Sequence, residues 1–472
     1  MTRIAILGGG ISGLTAAYEF EKARLAGADI DWHLYEASGR LGGIIQTTQR
    51  DGFTLEGGPD GWVTEKPWAT GLAKELGLED QIIYSNDAAR KTYILLNGHL
   101  QAIPDHMRLM VPTDLGALEN SPLLSTAARE AYAAELANAT SQKAQVPAQD
   151  ESVASFVQRH FGEEVLQTLA APLLSGVFGG DVHKLSVRAV MPQFVTMERE
   201  HGSLIAALQA RSRANEKPIF TSLRNGLETL TEALTSKLPV DRLHINRPVL
   251  SIKRQGKLWM VRTAAFATDG RTSKKHFHHI VNALPVDATR NLLTPINDEA
   301  AKLHPAEASS AILAALAWPA QLAAEFSIPP GFGFLVPQSD DPNQLLACTF
   351  VDQKFPHRVP HGSRVLRTFF GGPVAEHLAG ATDEEIIDAS LVQLGKIFGS
   401  LPAPTHSHIR RLPRSLPQYE VGHQDRMAEL DQLLTKLPGL TLLGNAYRGV
   451  GLPDLIRDAR EAVHRLIPTS VK

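Results

Sequence analysis

The chain has 472 residues, with 47 Lys+Arg against 50 Asp+Glu for a net charge of −3, and it is 43% hydrophobic and 21% charged. That balance excludes a disordered or fibrous chain, and at about 150 residues per domain the length suggests roughly three structural units. A charge so near zero gives no field for gripping nucleic acid, and the single cysteine, Cys348, precludes an internal disulfide and fits a reducing, cytoplasmic compartment.

Residues 3–7 (RIAIL) form a short apolar run, read as a buried parallel strand. This opening has none of the features of a signal peptide. Glycines follow at 8–13, then a helical stretch at 14–25, then a second strand at 31–36 (DWHLYE) that ends in an acid. Alanine-rich, charged stretches at 125–142 and 153–174 make residues 105–210 mainly helical. The segment 142–151 is the most polar, loop-like junction. Strand patterns return at 247–252, 258–263, 279–283, 310–318, 333–337, 344–352 and 364–370. The end repeats the opening theme, with a strand at 439–443, a glycine-rich turn at 444–451 and a helix at 453–466. No run of about 18 apolar residues is long enough to span a membrane, since 311–326 is broken by Trp318-Pro319 and Gln321. Two ends that both look like a nucleotide-binding layer predict discontinuous domains.

The strongest local signal is Gly8-x-Gly10-x-x-Gly13 between strand and helix. Gly8 permits the tight turn, Gly10 lets a pyrophosphate approach the backbone, and Gly13 lets helix and strand pack closely. Phosphates then sit on the helix N-terminus, and Glu36, closing the next strand, is placed to accept from ribose hydroxyls. The string Glu36-Ala37-x-x-Arg40-Leu41-Gly42-Gly43 resembles the second fingerprint of amine oxidase superfamily flavoproteins, and Gly57-Gly58-Pro59-Asp60 follows it. Its paired glycines admit another backbone-to-phosphate approach, and Arg40 can neutralise pyrophosphate charge.

Further strings are more specific. Residues 171–181 (APLLSGVFGGD) with 184–189 (KLSVRA), and 331–337 (GFGFLVP) with Cys348-Thr349-Phe350, resemble hallmarks of the protoporphyrinogen/coproporphyrinogen oxidase family. Leu416-Pro417-Gln418-Tyr419 and 444–454 (GNAYRGVGLPD) are similar to that family's C-terminal motifs. The resemblance is collinear from residue 1 to about 466. It implies an α/β fold: a discontinuous Rossmann-like FAD-binding domain (1–62, 220–286, 436–472), a mixed-sheet substrate domain (63–104, 205–219, 287–435) and an inserted helical, membrane-binding-like domain (105–204). It also implies oxidation of a porphyrinogen to the porphyrin in heme biosynthesis. Six electrons leave the macrocycle in three rounds to non-covalent FAD, and oxygen, the acceptor, becomes hydrogen peroxide. Coproporphyrinogen III is favoured slightly over protoporphyrinogen IX. Peripheral membrane contact and contact with the next heme-pathway enzyme remain open.

Carried over by position, the flavin contacts are Gly8, Gly10, Ile11, Ser12, Gly13, Glu36, Ala37, Arg40, Gly42, Gly43, Gly58, Pro59 and Asp60. Val249 is added for the adenine, and Gly449, Val450, Gly451 and Leu452 for the C-terminal turn. Pro453 and Asp454 open a last helix whose N-terminus can face a flavin carbonyl. For the macrocycle the resemblance implies Gly180, Leu335 and Phe350, with core packing an equal reading of the last two. Plant and animal members carry an arginine before the residue matching Tyr93; here Thr92 stands there, with Lys91 and Arg90 just ahead as substitute cations. No side-chain general base is nominated, because the flavin carries the chemistry.

Other features are expected to be bland. His276, His278 and His279, and the pair His406/His408, read as solvated loop or strand ends rather than metal ligands. Pro356 and Pro360 forbid the helix that His357 and His361 would need to act together. Arg410, Arg411 and Arg414 read as a solvated charged face, and Cys348 is assigned no covalent flavin bond. The rival readings are another FAD amine oxidase or desaturase, or a non-catalytic protein that retains the nucleotide fold.

Overall fold

A computed structural model describes residues 1–210, 218–264, 271–339 and 341–467. Parts of four expected domain segments, 211–217, 265–270, residue 340 and 468–472, lie outside the described residues.

Five parallel strands form the nucleotide-binding layer, in the order Leu243–His244, Ile30–Tyr35, Thr2–Leu7, His279–Asn282 and Leu440–Leu442. Ile6 pairs with Leu34 on one side and Val281 on the other, so the sheet draws on three distant parts of the chain. The opening run is apolar at successive positions because both its faces are covered. Ile4 and Ile6 pack under the helices Ile11–Leu25 and Leu452–Leu466. Ala5 and Leu7 meet Trp259, Val261 and Phe277 of an antiparallel sheet made by Val249–Gln255, Leu258–Ala264 and Thr272–Phe277. The first and last helices lie together, joined by Arg460 Nε to Glu19 Oε1 at 2.9 Å.

A seven-stranded sheet runs His406–Pro417, Ala308–Trp318, Arg364–Gly371, Ala347–Phe350, Gly333–Leu335, Thr92–Leu96 and His99–Ala102. Alternation along its strands gives two different faces. Phe334, Phe350, Phe370 and Trp318 pack with Ile386 and Leu394 of the helix Asp383–Phe398. On the other face Leu313, Ala315 and Ala317 meet Phe53 and Leu55, while Leu335 packs on the helical region.

The helical region surrounds Tyr132, Phe156, Phe161 and Phe194. The helical stretch expected at 153–174 is Val153–Val165, a wide turn at Leu166–Ala170 and a helix Ala171–Phe178. Gly162, at φ +82°, breaks the helical backbone within the first piece.

The strand expected at 344–352 shortens to Ala347–Phe350, and Val351–Lys354 turns helical. Three long elements stand where none was expected: Asp383–Phe398, His423–Thr435 and the strand His406–Pro417. Among the described residues no helix is long and apolar enough to cross a membrane.

Candidate flavin site

The two N-terminal glycine runs form one cradle. Gly8, at φ +98°, turns the chain from strand to helix, and a Cβ there would stand 2.7 Å from the Ala283 carbonyl oxygen. Gly13 packs so closely on this turn that its Cβ would fall 1.9 Å from Gly8 O. Gly10 differs: nothing lies within 4 Å of where its Cβ would be. It is also the N-cap of the helix Ile11–Leu25, with no side chain capping the first N–H groups. Those orphan donors and the open space beside them are what a pyrophosphate requires. The N–H of Gly42 donates to Gly9 O at 2.8 Å, and a Cβ on Gly43 would lie 3.1 Å from Gly10 Cα.

Glu36 stands at the rim of this cradle. Its carboxylate accepts from Gly9 N and Ser38 N, both at 2.8 Å. Arg247 N donates to Glu36 O, which brings the segment entering Val249 alongside the acid. Arg40 does not reach freely toward the cradle. Its guanidinium donates to Gly43 O at 2.8 Å and Ile45 O at 2.6 Å and pairs with Glu228 at 2.7 Å, so it braces the loop that carries Gly42 and Gly43.

Behind the Gly57–Asp60 stretch lies a buried charged cluster that sequence reasoning missed. Asp60 pairs with Lys354 at 2.9 Å and Arg367 at 3.2 Å. Burial opposes its charge, but these two cations outweigh burial and hold the carboxyl well below the usual range. Arg367 also donates to Gly58 O. Arg358, fully buried, bridges Glu56 at 2.9 Å to the carbonyls of Asp60 and Leu223. Burial pushes the Glu56 carboxyl up despite that partner. An available signal was Glu56 itself, a charge within the wholly buried strand Phe53–Glu56.

The C-terminal motif carries a second uncapped helix start. Gly451 caps the helix Leu452–Leu466, again without a capping side chain, and Gly449 holds φ +148° beside the Asp454 carboxylate. Asp454 is fixed by Lys66 at 2.6 Å.

The expected macrocycle residues do not share one face. Leu335 meets the helix Ala171–Phe178, where a Cβ on Gly176 would stand 2.9 Å from its Cδ2. Gly180 follows the left-handed cap Gly179 and borders the same helix end. Phe350 is a correction: it is fully buried in a triangle with Phe334 and Phe398, on the opposite face of the sheet from Leu335. Strand alternation explains this, since Leu335 pairs with Ala347, and Phe350 is three residues farther along. Arg90 and Lys91 are both exposed, and Arg90 lies 3.8 Å from Asp87.

Two bland expectations also change. His408 is not solvated: its Nδ1 lies 3.1 Å from Thr48 Oγ1, its ring abuts Gly57, and burial pushes its pKa down. Arg410 turns inward to Gln46 Oε1, whereas Arg411 and Arg414 pair with Asp383 and Asp287. Cys348 is buried within the seven-stranded sheet, and burial pushes its thiol up.

A cradle that a Cβ at Gly10 would fill, two uncapped helix N-termini and the acid Glu36 beside the first of them fit FAD. This fold and site define an FAD-dependent oxidoreductase. The chain belongs to the flavin-containing amine oxidoreductase family, whose model matches residues 11–467. It is 30% identical over 472 residues to coproporphyrinogen III oxidase of Bacillus subtilis (98% of this chain, 97% of the relative). It is 31% identical to human protoporphyrinogen oxidase, covering 99% and 98% of the two chains. The crystal structure of "Putative protoporphyrinogen oxidase" from Exiguobacterium sp. 255-15 superposes with TM-score 0.84 at 32% identity, over 98% of each chain.

Proposed function

We propose that the protein oxidises a porphyrinogen to the porphyrin in heme biosynthesis, with coproporphyrinogen III preferred and oxygen as the acceptor. The observation that carries this reading is end-to-end similarity to coproporphyrinogen III oxidase, 98% of this chain against 97% of that one. Bound FAD supplies acceptance of hydride equivalents. The chain's own residues bind and orient. Gly10 and Gly43 admit the pyrophosphate, Glu36 takes the ribose, and the uncapped N-terminus at Gly451 offers donors to a flavin carbonyl. Leu335 and the helix Ala171–Phe178 form an apolar border against which a flat macrocycle can lie.

Preference for coproporphyrinogen is supported by the charge it brings, four propionates against two. Thr92 holds the position of the family arginine, and the exposed Lys91 beside it is a cation able to meet a carboxylate at the rim. Initial rates with both reduced substrates test this. The expected result is a higher kcat/KM for coproporphyrinogen III, lowered by Lys91→Ala mainly through KM. Oxidation of neither substrate overturns the reading. Peripheral membrane contact through residues 105–204, and product transfer to the next heme-pathway enzyme, belong to the same reading on the resemblance alone. Co-sedimentation with anionic vesicles tests the former.

A further inference from the structure

Three stretches far apart in sequence, 171–189, 415–423 and 444–454, meet in the structure through two adjacent residues, Gln418 and Tyr419. Tyr419 is 3% exposed and sits beneath the C-terminal turn. Its hydroxyl donates to Asn445 O at 2.7 Å and accepts from Gly449 N at 3.1 Å. The two bonds use the phenol in both its roles, and burial keeps it protonated and able to play both. Its ring stacks on His423 with centroids 3.9 Å apart and planes 11° from parallel. The His423 Nε2 atom lies 2.9 Å from Tyr447 O, so the stacked pair holds three carbonyl or amide groups of one turn. Asn445 is tied back as well, its side-chain amide donating to Ser415 O at 2.8 Å.

The same segment grips the helical region. Gln418 donates to Phe178 O at 3.0 Å, the last residue of the helix that meets Leu335. A Cβ on Gly180 would fall 1.7 Å from Gln418 Oε1, so a larger residue there would push the amide away from Phe178 O. Ser186 N donates to Tyr419 O at 2.7 Å.

We infer that Tyr419 is a positioning residue for the flavin: it fixes the turn 445–449 that leads into Gly451 and the last helix. Through Gln418, that turn is tied to the helix bordering the substrate cleft. This rests on the reading that Gly449–Leu452 holds the flavin. A hydrogen-bonded, stacked strut has a definite function here because Gly449, at φ +148°, belongs to a backbone region that no side chain of its own stabilises. Without the phenol oxygen, Gly449 N and Asn445 O lose their partner together.

The test uses the FAD-loaded full chain with Tyr419→Phe, which retains the ring and its stack. Expected are about tenfold weaker FAD binding, as loss of one to two ordinary hydrogen bonds gives, an altered visible circular dichroism of bound FAD, and a lower kcat at unchanged KM. Gly451→Val is measured alongside. If Gly451→Val loses FAD while Tyr419→Phe keeps wild-type affinity, spectrum and kcat, the inference is overturned and the turn's assignment stands. A Tyr419→Phe protein that only melts earlier, with the FAD-saturated spectrum and kcat unchanged, also overturns it. If neither variant alters FAD binding, the assignment and the inference fail together. Should Tyr419→Phe not fold, His423→Leu, which releases the ring instead of removing the hydroxyl, is held to the same outcomes.

Discussion

Gly42 donates its backbone N–H to the Gly9 carbonyl at 2.8 Å. The bond sets the two glycine runs face to face, so that Gly43 approaches Gly10 from across the cradle. Neither run makes a complete site without the other, and Arg40, pinned between Glu228 and two carbonyls, keeps them in register.

Gly10 and Gly13 are therefore expected to fail in different ways. Gly10 has φ −73° and ψ −177°, a conformation any residue adopts, and open space where its Cβ would be. Gly10→Val is predicted to fold with a near-normal Tm while retaining no FAD after desalting, because its side chain fills the pyrophosphate's space. A Cβ at Gly13 would collide with Gly8 O, so Gly13→Ala is predicted to lose roughly 1–3 kcal/mol of stability by overpacking. Urea unfolding and flavin absorbance separate the two.

Asp60 is predicted to hold the cluster behind the Gly57–Asp60 stretch together. Removing its charge leaves Lys354 and Arg367 facing one another in a buried setting, a loss of about 3–5 kcal/mol for a broken buried pair. The folded pKa lies below the unfolded value of about 3.9, so this stabilisation is fully present above that value and lost as pH falls through the folded one. Below about pH 4 the wild-type urea midpoint is expected to drop more steeply than that of Asp60→Asn.

His160 has the opposite sign. It is buried between Glu135 and Glu198, each 3.2 Å from a ring nitrogen, with Arg159 on the outer side of Glu198. Burial opposes the imidazolium, but hydrogen bonds to the two carboxylates outweigh burial and raise its pKa. Its stabilisation is then complete below the unfolded value of about 6.5 and is lost as pH rises through the higher folded value. Wild-type Tm should decline above neutrality, and His160→Gln should flatten that decline while lowering Tm at pH 6.

Cys348 carries no assigned chemistry. Cys348→Ala is predicted to cost about 1–2 kcal/mol from the lost core packing. FAD should remain bound and be released from both proteins by denaturation. Flavin left attached to denatured wild-type chain, and absent from the variant, would contradict this.

The first half of the cradle was legible because its signals are local: strand, glycine spacing, helix and a terminal acid lie within residues 2–36. The strand His406–Pro417 was hidden by its own chemistry, with histidines, arginines and two prolines in twelve residues. It is an edge strand, where Pro413 forfeits no essential ladder bond and polar side chains reach solvent or the cluster behind Gly57. The helix Asp383–Phe398 did carry a readable sign, Thr382 capping Glu385 and Glu385 returning the bond. Phe350 shows the limit of carrying a role over by position: one residue type fits a core and a cleft equally, and only strand register decides the face. The links among Glu56, Arg358 and Asp60, or between Tyr419 and Gly449, join residues too far apart for any spacing rule to reveal.

The most direct measurement mixes FAD-loaded protein with coproporphyrinogen III under air and follows porphyrin fluorescence together with oxygen uptake. The account predicts rapid porphyrin formation with one oxygen consumed for each electron pair removed, and no turnover by Gly10→Val. A protein that contains stoichiometric FAD yet forms porphyrin no faster than air alone would contradict it.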